Sequence, residues 1–233
     1  MLFDQQLIPA ILVRRYKRFL ADVELANGEL LTVHCPNSGS MLGCSEAGSP
    51  VMISRSDNPG RKYPQTLEMV QAGTVWVGIN TSLTNKLVRE ALEKNVVKEL
   101  GKLDSIIQEV KTSARTRLDF LLERKGKQIY LEVKNCSLAE NMAAMFPDAV
   151  TARGTKHLHE LVSLKQKGCM AAVLFCVQRG DTDCFMPAYH IDPVYAEALK
   201  KVASEGVMVL AYQADVTPRE ITIVKKLPVN LTC

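Results

Sequence analysis

The chain has 233 residues, 47% apolar and 23% charged, with a net charge of +4, which suits one large or two modest globular domains and excludes disordered or fibrous classes. No apolar run approaches the roughly 20 residues of a membrane helix. In MLFDQQLIPAILVRRYKRF the basic cluster follows the apolar stretch, the wrong order for a secretory signal.

The first 80 or so residues read as short strands between turns. ILVRR and FLADVEL come first, then an Asn27-Gly28 turn, then ELLTVHC; Asn-Gly between alternating segments signals a hairpin. PNSGS, EAGSP and SDNPGRKYP are loops, and VMIS and TVWVGIN bring the strands to about five. This pattern predicts a small barrel of the OB type, with an SH3-like barrel as an alternative. Four of the seven bases in this stretch are Arg14, Arg15, Lys17 and Arg18. Interleaved with Tyr16 and Phe19, they could offer cations to phosphates and a ring to a base. On a regular strand Arg15, Lys17 and Phe19 would share one face, and Arg14, Tyr16 and Arg18 the other. The loops add His34, Asn37, Arg61 and Lys62 as nucleic-acid-binding candidates.

The pattern changes near residue 80. Asn80-Thr81-Ser82 can cap a helix through LTNKLVREALEKN, with Leu83, Leu87, Val88, Ala91 and Leu92 as its apolar stripe. Strands RLDFLLE and QIYLEVK follow, then a helix from about Asp148 to Lys167, strand AAVLFCV, a helix over VYAEALKKVASE, and strands VMVLAY and ITIVKK. Alternating strands and helices predict an α/β unit with a mixed sheet. The expected organisation is two domains, 1–80 and 81–233.

Chemistry concentrates in RLDFLLERKGKQIYLEVK. If these strands form a hairpin turning between Lys125 and Gly126, facing residues have numbers summing to 251. Asp119 then faces Glu132, and Arg117 faces Lys134. Leu118, Phe120, Leu122, Ile129, Leu131 and Val133 share the opposite, apolar face. Facing carboxylates repel across a strand pair unless a cation lies between them. Mg²⁺ (or Mn²⁺) is commonly held by one or two carboxylates with waters and substrate phosphate. Lys134, two residues past Glu132, could orient or deprotonate the attacking water or steady charge on a scissile phosphate. Glu109, in SIIQEVK, is a candidate further ligand. On the next helix Lys156 and His157 are lesser candidates; His157 and His159, two apart, cannot share a helix face. An E-x-K triplet alone is more often a solvated strand face. The facing aspartate sets this one apart, provided the register does not slip.

Asp…Glu-x-Lys across a hairpin resembles the PD-(D/E)xK nuclease core. The blocks RYKRFLADVEL, LTVHCPNSGSMLGC, SDNPGRKYPQTLE, SARTRLDF, YLEVKNCSLAE, FPDAVTARGTKHLHEL and PAYHID resemble, in order over residues 9–230, those of the sugar fermentation stimulation protein family. The resemblance implies an OB-like domain followed by a restriction-endonuclease-like α/β domain, non-specific DNA binding, and a role in regulating sugar (maltose) metabolism. It matches the family's acidic positions to Glu109, Asp119 and Glu132, and its lysine to Lys134. Fold alone does not establish catalysis.

The seven cysteines, Cys35, Cys44, Cys136, Cys169, Cys176, Cys184 and Cys233, are odd in number with no C-x-x-C spacing. Neither a disulfide framework nor a zinc site is indicated, and a cytoplasmic location is expected. No phosphate-binding loop of the nucleotide-binding types is present. Three readings result: a Mg²⁺-dependent phosphodiesterase acting on DNA or RNA, a DNA-binding transcriptional regulator with negligible turnover, and an enzyme on a sugar, which only the family's name supports. Oligomerisation stays open.

Overall fold

Short alternating segments broken by Gly and Pro form strands that close on themselves. In the computed structural model, which describes residues 1–113 and 116–231, strands β1 (Ile8–Tyr16), β2 (Leu20–Leu25), β3 (Leu30–His34), β4 (Pro50–Arg55), β5 (Gln65–Ala72) and β6 (Val75–Gly78) make one antiparallel sheet, closed by a parallel bridge between His34 and Thr66. This is the OB-type barrel, filled by Leu12, Val23, Val33, Ile53, Leu67 and Val77. Gly28 turns the β2–β3 hairpin at φ 82°, a conformation that favours glycine. Strand β5 escapes the sequence pattern because Thr66 to Val70 are all buried, the acid Glu68 included. Ser54 Oγ and Asn80 Nδ2 both donate to its carboxylate, at 2.5 and 2.7 Å.

Asn80 caps a short 3₁₀ turn, its side chain accepting from Ser82 N, and the turn leads into α1 (Thr84–Glu93). After it come β7 (Ser105–Ser113), β8 (Thr116–Arg124), β9 (Lys127–Cys136), β10 (Leu138–Glu140), β11 (Ala143–Phe146), α2 (Ala152–Gln166), β12 (Met170–Val177), β13 (Cys184–Pro187), α3 (Pro193–Ser204), β14 (Met208–Val216) and β15 (Ile221–Leu227). The large sheet runs β15-β14-β12-β9-β8-β7, with β9, β12 and β14 parallel. A small sheet, β10-β11-β13, stands beside it; its strands are too short to show in the sequence pattern. α2 begins later than expected, at Ala152, where Thr151 accepts from Gly154 N.

The large sheet separates two cores. On one face α1 lays Leu87, Val88, Ala91 and Leu92 against Phe120, Leu122, Ile129 and Leu131. On the other, Leu158, Leu161, Tyr195 and Leu199 of α2 and α3 cover Phe175 and Val173. Phe120, Leu122, Ile129 and Leu131 are fully buried. Burying one such side chain is worth about 1.5–3 kcal/mol, so a one-residue slip that turned all four outward would be prohibitive. The register is the expected one: Phe120 faces Leu131 and Arg124 faces Lys127. Leu118 departs from expectation. It joins the α2–α3 core rather than the α1 core.

The barrel packs closely on the α/β unit. Gly78 N donates to Gln178 O at 2.9 Å, and a Cβ on Gly78 would meet Gln178 Oε1 at 2.3 Å. The first residues also cross over, since Met1 and Leu7 join the α1 core and Leu2 bridges Glu220. Among the described residues no helix is long and apolar enough to cross a membrane. Six cysteines are free thiols, and Cys233 lies outside the described residues.

Candidate active site

The β8–β9 ladder runs from Arg124–Lys127 to Phe120–Leu131 and stops there. At the next step a side chain takes over from the main chain: Asp119 Oδ2 accepts Val133 N at 2.7 Å, while Oδ1 accepts Asn85 Nδ2 of α1 at 2.9 Å. The strands part at the residue pair the register brings opposite each other, Asp119 and Glu132.

Glu132 is 3% exposed. Its Oε1 accepts from Lys134 Nζ at 2.5 Å and makes a short hydrogen bond with His157 Nδ1 of α2. Nδ1 acts as donor, which leaves Nε2 to face Arg153 Nε at 3.5 Å. The other oxygen, Oε2, is buried without a hydrogen-bond partner among the described residues. An orphaned carboxylate oxygen costs more than an ordinary surface group and calls for a cation or ordered water.

The two carboxyls are driven apart in acidity. Burial pushes Asp119 up and the negative charge of Glu132 adds to this; the bonds from Val133 and Asn85 offset only part, so the group is held above the usual aspartate range. Burial also works against the charge on Glu132, but the His157 bond and the Lys134 ammonium outweigh it, and that carboxyl lies below its usual value. Asp119 thus feels the charge of Glu132, while the acidity of Glu132 is set by His157 and Lys134.

Glu109 stands apart, contrary to the expectation that it reaches in as a further ligand. With φ at 54° it kinks the outermost strand, and its side chain, 66% exposed, pairs with Arg117 at 2.7 Å. The β8–β9 ladder ends before the expected Arg117–Lys134 pair. Among the described residues there is no group of three or more His, Cys, Asp or Glu placed to hold a metal.

The basic cluster of the barrel divides. Arg15 is structural: its Nη atoms donate to the carbonyls of Arg18, Asn37, Gly39 and Ser40 at 2.8–2.9 Å. This guanidinium folds the loop rather than reaching for phosphate. The expected alternation fails as well, because a bulge lies between Leu12 and Arg14 and because Lys17 and Arg18 form the β1–β2 turn at φ 48° and 65°. Arg14 pairs with Asp22 at 2.8 Å and lies over the Tyr16 ring, whose hydroxyl also donates to Asp22. His34 sits 3.5 Å from Arg61, and Lys62 lies over the ring of Tyr63.

The Arg15-held loop docks against the α/β unit. Met41 N donates to Asp148 Oδ2 at 2.9 Å, Ser40 Oγ donates to Asp148 O, and Gly39 lies so close that a Cβ would meet Asp148 Oδ2 at 2.4 Å. Asn37, buried and donating to Ile79 O at 3.1 Å, is part of this seam. A cleft of about 370 Å³ results, with Arg18, Asn37 and Ser38 on the barrel side and Lys134, Asn135 and Thr151 opposite. On the far side of the site a second cavity of about 620 Å³ includes His157 in its wall. Asn85 and Asp148 carry no sequence signal, since each owes its place to long-range packing.

Comparison with known proteins agrees with this architecture. Residues 13–79 match the family model described as SfsA N-terminal OB domain, and residues 82–220 match the sugar fermentation stimulation protein RE domain. A sugar fermentation stimulation protein homolog of Desulfotalea psychrophila is 51% identical over 222 residues, spanning 95% of this chain and 94% of that one. Its counterpart in Pelobacter propionicus is 53% identical over 225 residues, spanning 97% and 98%. A solved structure of Pyrococcus furiosus SfsA in complex with Ca²⁺ superposes with a TM-score of 0.90 at 27% identity, covering 99% of this chain and 98% of that one. With both units matched and half the residues shared over nearly the full length, the chain belongs to the sugar fermentation stimulation protein family.

Proposed function

We propose that this protein is a divalent-metal-dependent phosphodiesterase that binds DNA or RNA without sequence preference and hydrolyses it at Asp119, Glu132 and Lys134. The observation that carries the reading is the buried, unpartnered Oε2 of Glu132, beside a second carboxylate that its charge perturbs. Hard oxygen donors of this kind suit Mg²⁺ or Mn²⁺, which need only one or two carboxylates from the protein and complete their shell with waters and phosphate. The Ca²⁺ complex of the Pyrococcus furiosus relative supports a divalent ion in this family. When bound, such an ion would supply Lewis-acid stabilisation of a phosphate and a more acidic water.

The chain's own residues do the rest. Asn85 and the Val133 amide fix the Asp119 carboxylate, and His157 fixes that of Glu132. Lys134 keeps an ammonium beside Glu132, where it can orient water or offset charge growing on the phosphoryl oxygens. In the hydrolysis the water oxygen bonds to phosphorus, one P–O ester bond breaks, and the departing oxygen takes a proton. Arg18, Lys17, Arg61 and Lys62 supply phosphate contacts on the barrel side. The unit boundary near residue 80 divides grip from chemistry.

A second reading, a DNA-binding regulator with negligible turnover, is favoured by the outward position of Glu109, which leaves two carboxylates as the donor set. Incubating the protein with single- and double-stranded DNA and RNA in Mg²⁺, Mn²⁺ or EDTA, beside Asp119→Ala and Lys134→Ala, separates the two. Metal-dependent cleavage lost in both variants supports the enzyme. Binding without cleavage under any metal supports the regulator, a role in keeping with the name its relatives carry.

A further inference from the structure

The cavity behind His157 is walled by Lys111, Arg117, Arg153 and Lys156. Lys111 and Arg117 face each other directly across the β7–β8 ladder, an arrangement that is destabilising for like charges. Arg153 and Lys156 are three apart on α2, so they lie on one helix face and repel as well. At the rim Glu109 offsets part of this charge through an ion pair to Arg117 in which both side chains are more than half exposed. Exposed pairs of this kind are worth little and exchange readily.

We propose that this cavity binds a terminal phosphate monoester of a nucleic acid strand, and so fixes the distance from the strand end to the cut; the inference rests on the phosphodiesterase reading above. A monoester carries about −1.5 to −2 near pH 7, against −1 for an internal diester, so four converging cations suit an end better than a backbone phosphate. Arg117 and Arg153 bring planar donors able to grip phosphate oxygens in pairs. The volume, about 620 Å³, falls in the roughly 300–1,000 Å³ range of small-ligand pockets, enough for the phosphate and its sugar. The position is also apt. His157 lines this cavity, Lys134 lines the barrel-side cleft, and both bond the same oxygen of Glu132. A strand entering along the barrel would cross the carboxylate pair and place its end here.

The test is a binding titration of the full chain in EDTA with one labelled oligonucleotide in three forms: 5′-phosphorylated, 3′-phosphorylated, and with hydroxyls at both ends. One phosphorylated form is expected to bind about tenfold or more tightly than the hydroxyl form. Inorganic phosphate should compete that advantage away, and Lys111→Ala and Arg153→Ala should abolish it while lowering hydroxyl-form affinity far less. Both side chains are exposed, so the variants keep the fold. Equal affinity for all three forms, or a preference that survives in both variants, overturns the proposal. Because no metal is present, the preference stands or falls whether or not Mg²⁺ supports cleavage; efficient cutting of closed circular DNA without end preference would sink the end pocket and spare the enzyme.

Discussion

Asp119 accepts the backbone N–H of Val133 at 2.7 Å, at the point where the β8–β9 ladder ends. A carboxylate therefore does the work of a carbonyl, and this fixes where its negative charge sits relative to Glu132 on the adjacent strand. One residue thus joins the sheet's architecture to its chemistry.

Asp119→Asn should abolish metal-dependent cleavage while preserving the fold, because the amide oxygen can still accept from Val133 and Asn85 can turn its own amide so that its oxygen meets the new NH2. Ionised Asp119 is disfavoured by burial and by Glu132, so it weakens the folded state once the pH rises past the ordinary aspartate range. Relief of that strain should raise stability at neutral pH by on the order of 1 kcal/mol, about 2–4 °C in Tm. Thermal unfolding of the metal-free protein, beside a cleavage assay, reads both effects.

Glu132 behaves oppositely. Its folded carboxyl lies below its ordinary value through His157 and Lys134, despite burial. The stability it contributes is complete above the ordinary glutamate range and is lost as pH falls through the lower folded value. Urea unfolding from pH 7 down to pH 3 should show a loss in the wild type that is smaller in Glu132→Gln. Equal acid sensitivity in the two proteins would contradict the ion pair.

Lys134→Met should lower cleavage by about 10²–10³-fold and destabilise the protein by roughly 1–3 kcal/mol, since it strips a buried carboxylate of a charged partner. Single-turnover kinetics and chemical denaturation check the two numbers separately.

Arg15 and Arg18, three residues apart, should part company. Arg15→Ala removes donors to four loop carbonyls and should cost roughly 2–4 kcal/mol of stability. Arg18→Ala should leave stability nearly unchanged and reduce the slope of log affinity for DNA against log salt by about 1.

Gly39→Ala would drive a methyl into Asp148. The barrel loop must then lift from the α/β unit, with an expected cost of about 1–3 kcal/mol and loss of cleavage out of proportion to it. Double mutation with Asp148→Ala should recover part of both.

The hairpin was legible because its apolar face alternates over both strands and the turn Lys125-Gly126 leaves one register that buries all of it. That register puts Asp119 opposite Glu132, one step beyond the last paired residues, Phe120 and Leu131. Glu109 departs from the sequence expectation because a positive φ, invisible in the pattern, accompanies its outward pairing with Arg117. Arg15 looked like its basic neighbours, and only the fold reveals the carbonyls it gathers. His157 could be suspected from its helix but not placed, since its bond to Glu132 depends on how α2 lies across the sheet. β5 stayed hidden because burial of both its faces erases the alternation by which strands are recognised.

In the proposed function Asp119 and Glu132 jointly hold one divalent ion. Calorimetric titration of the metal-free protein with Mn²⁺ or Ca²⁺ tests it most directly. One ion per chain is expected, with affinity reduced at least tenfold in Asp119→Asn and again in Glu132→Gln. Absence of binding in the wild type, or equal affinity in all three proteins, would contradict the account.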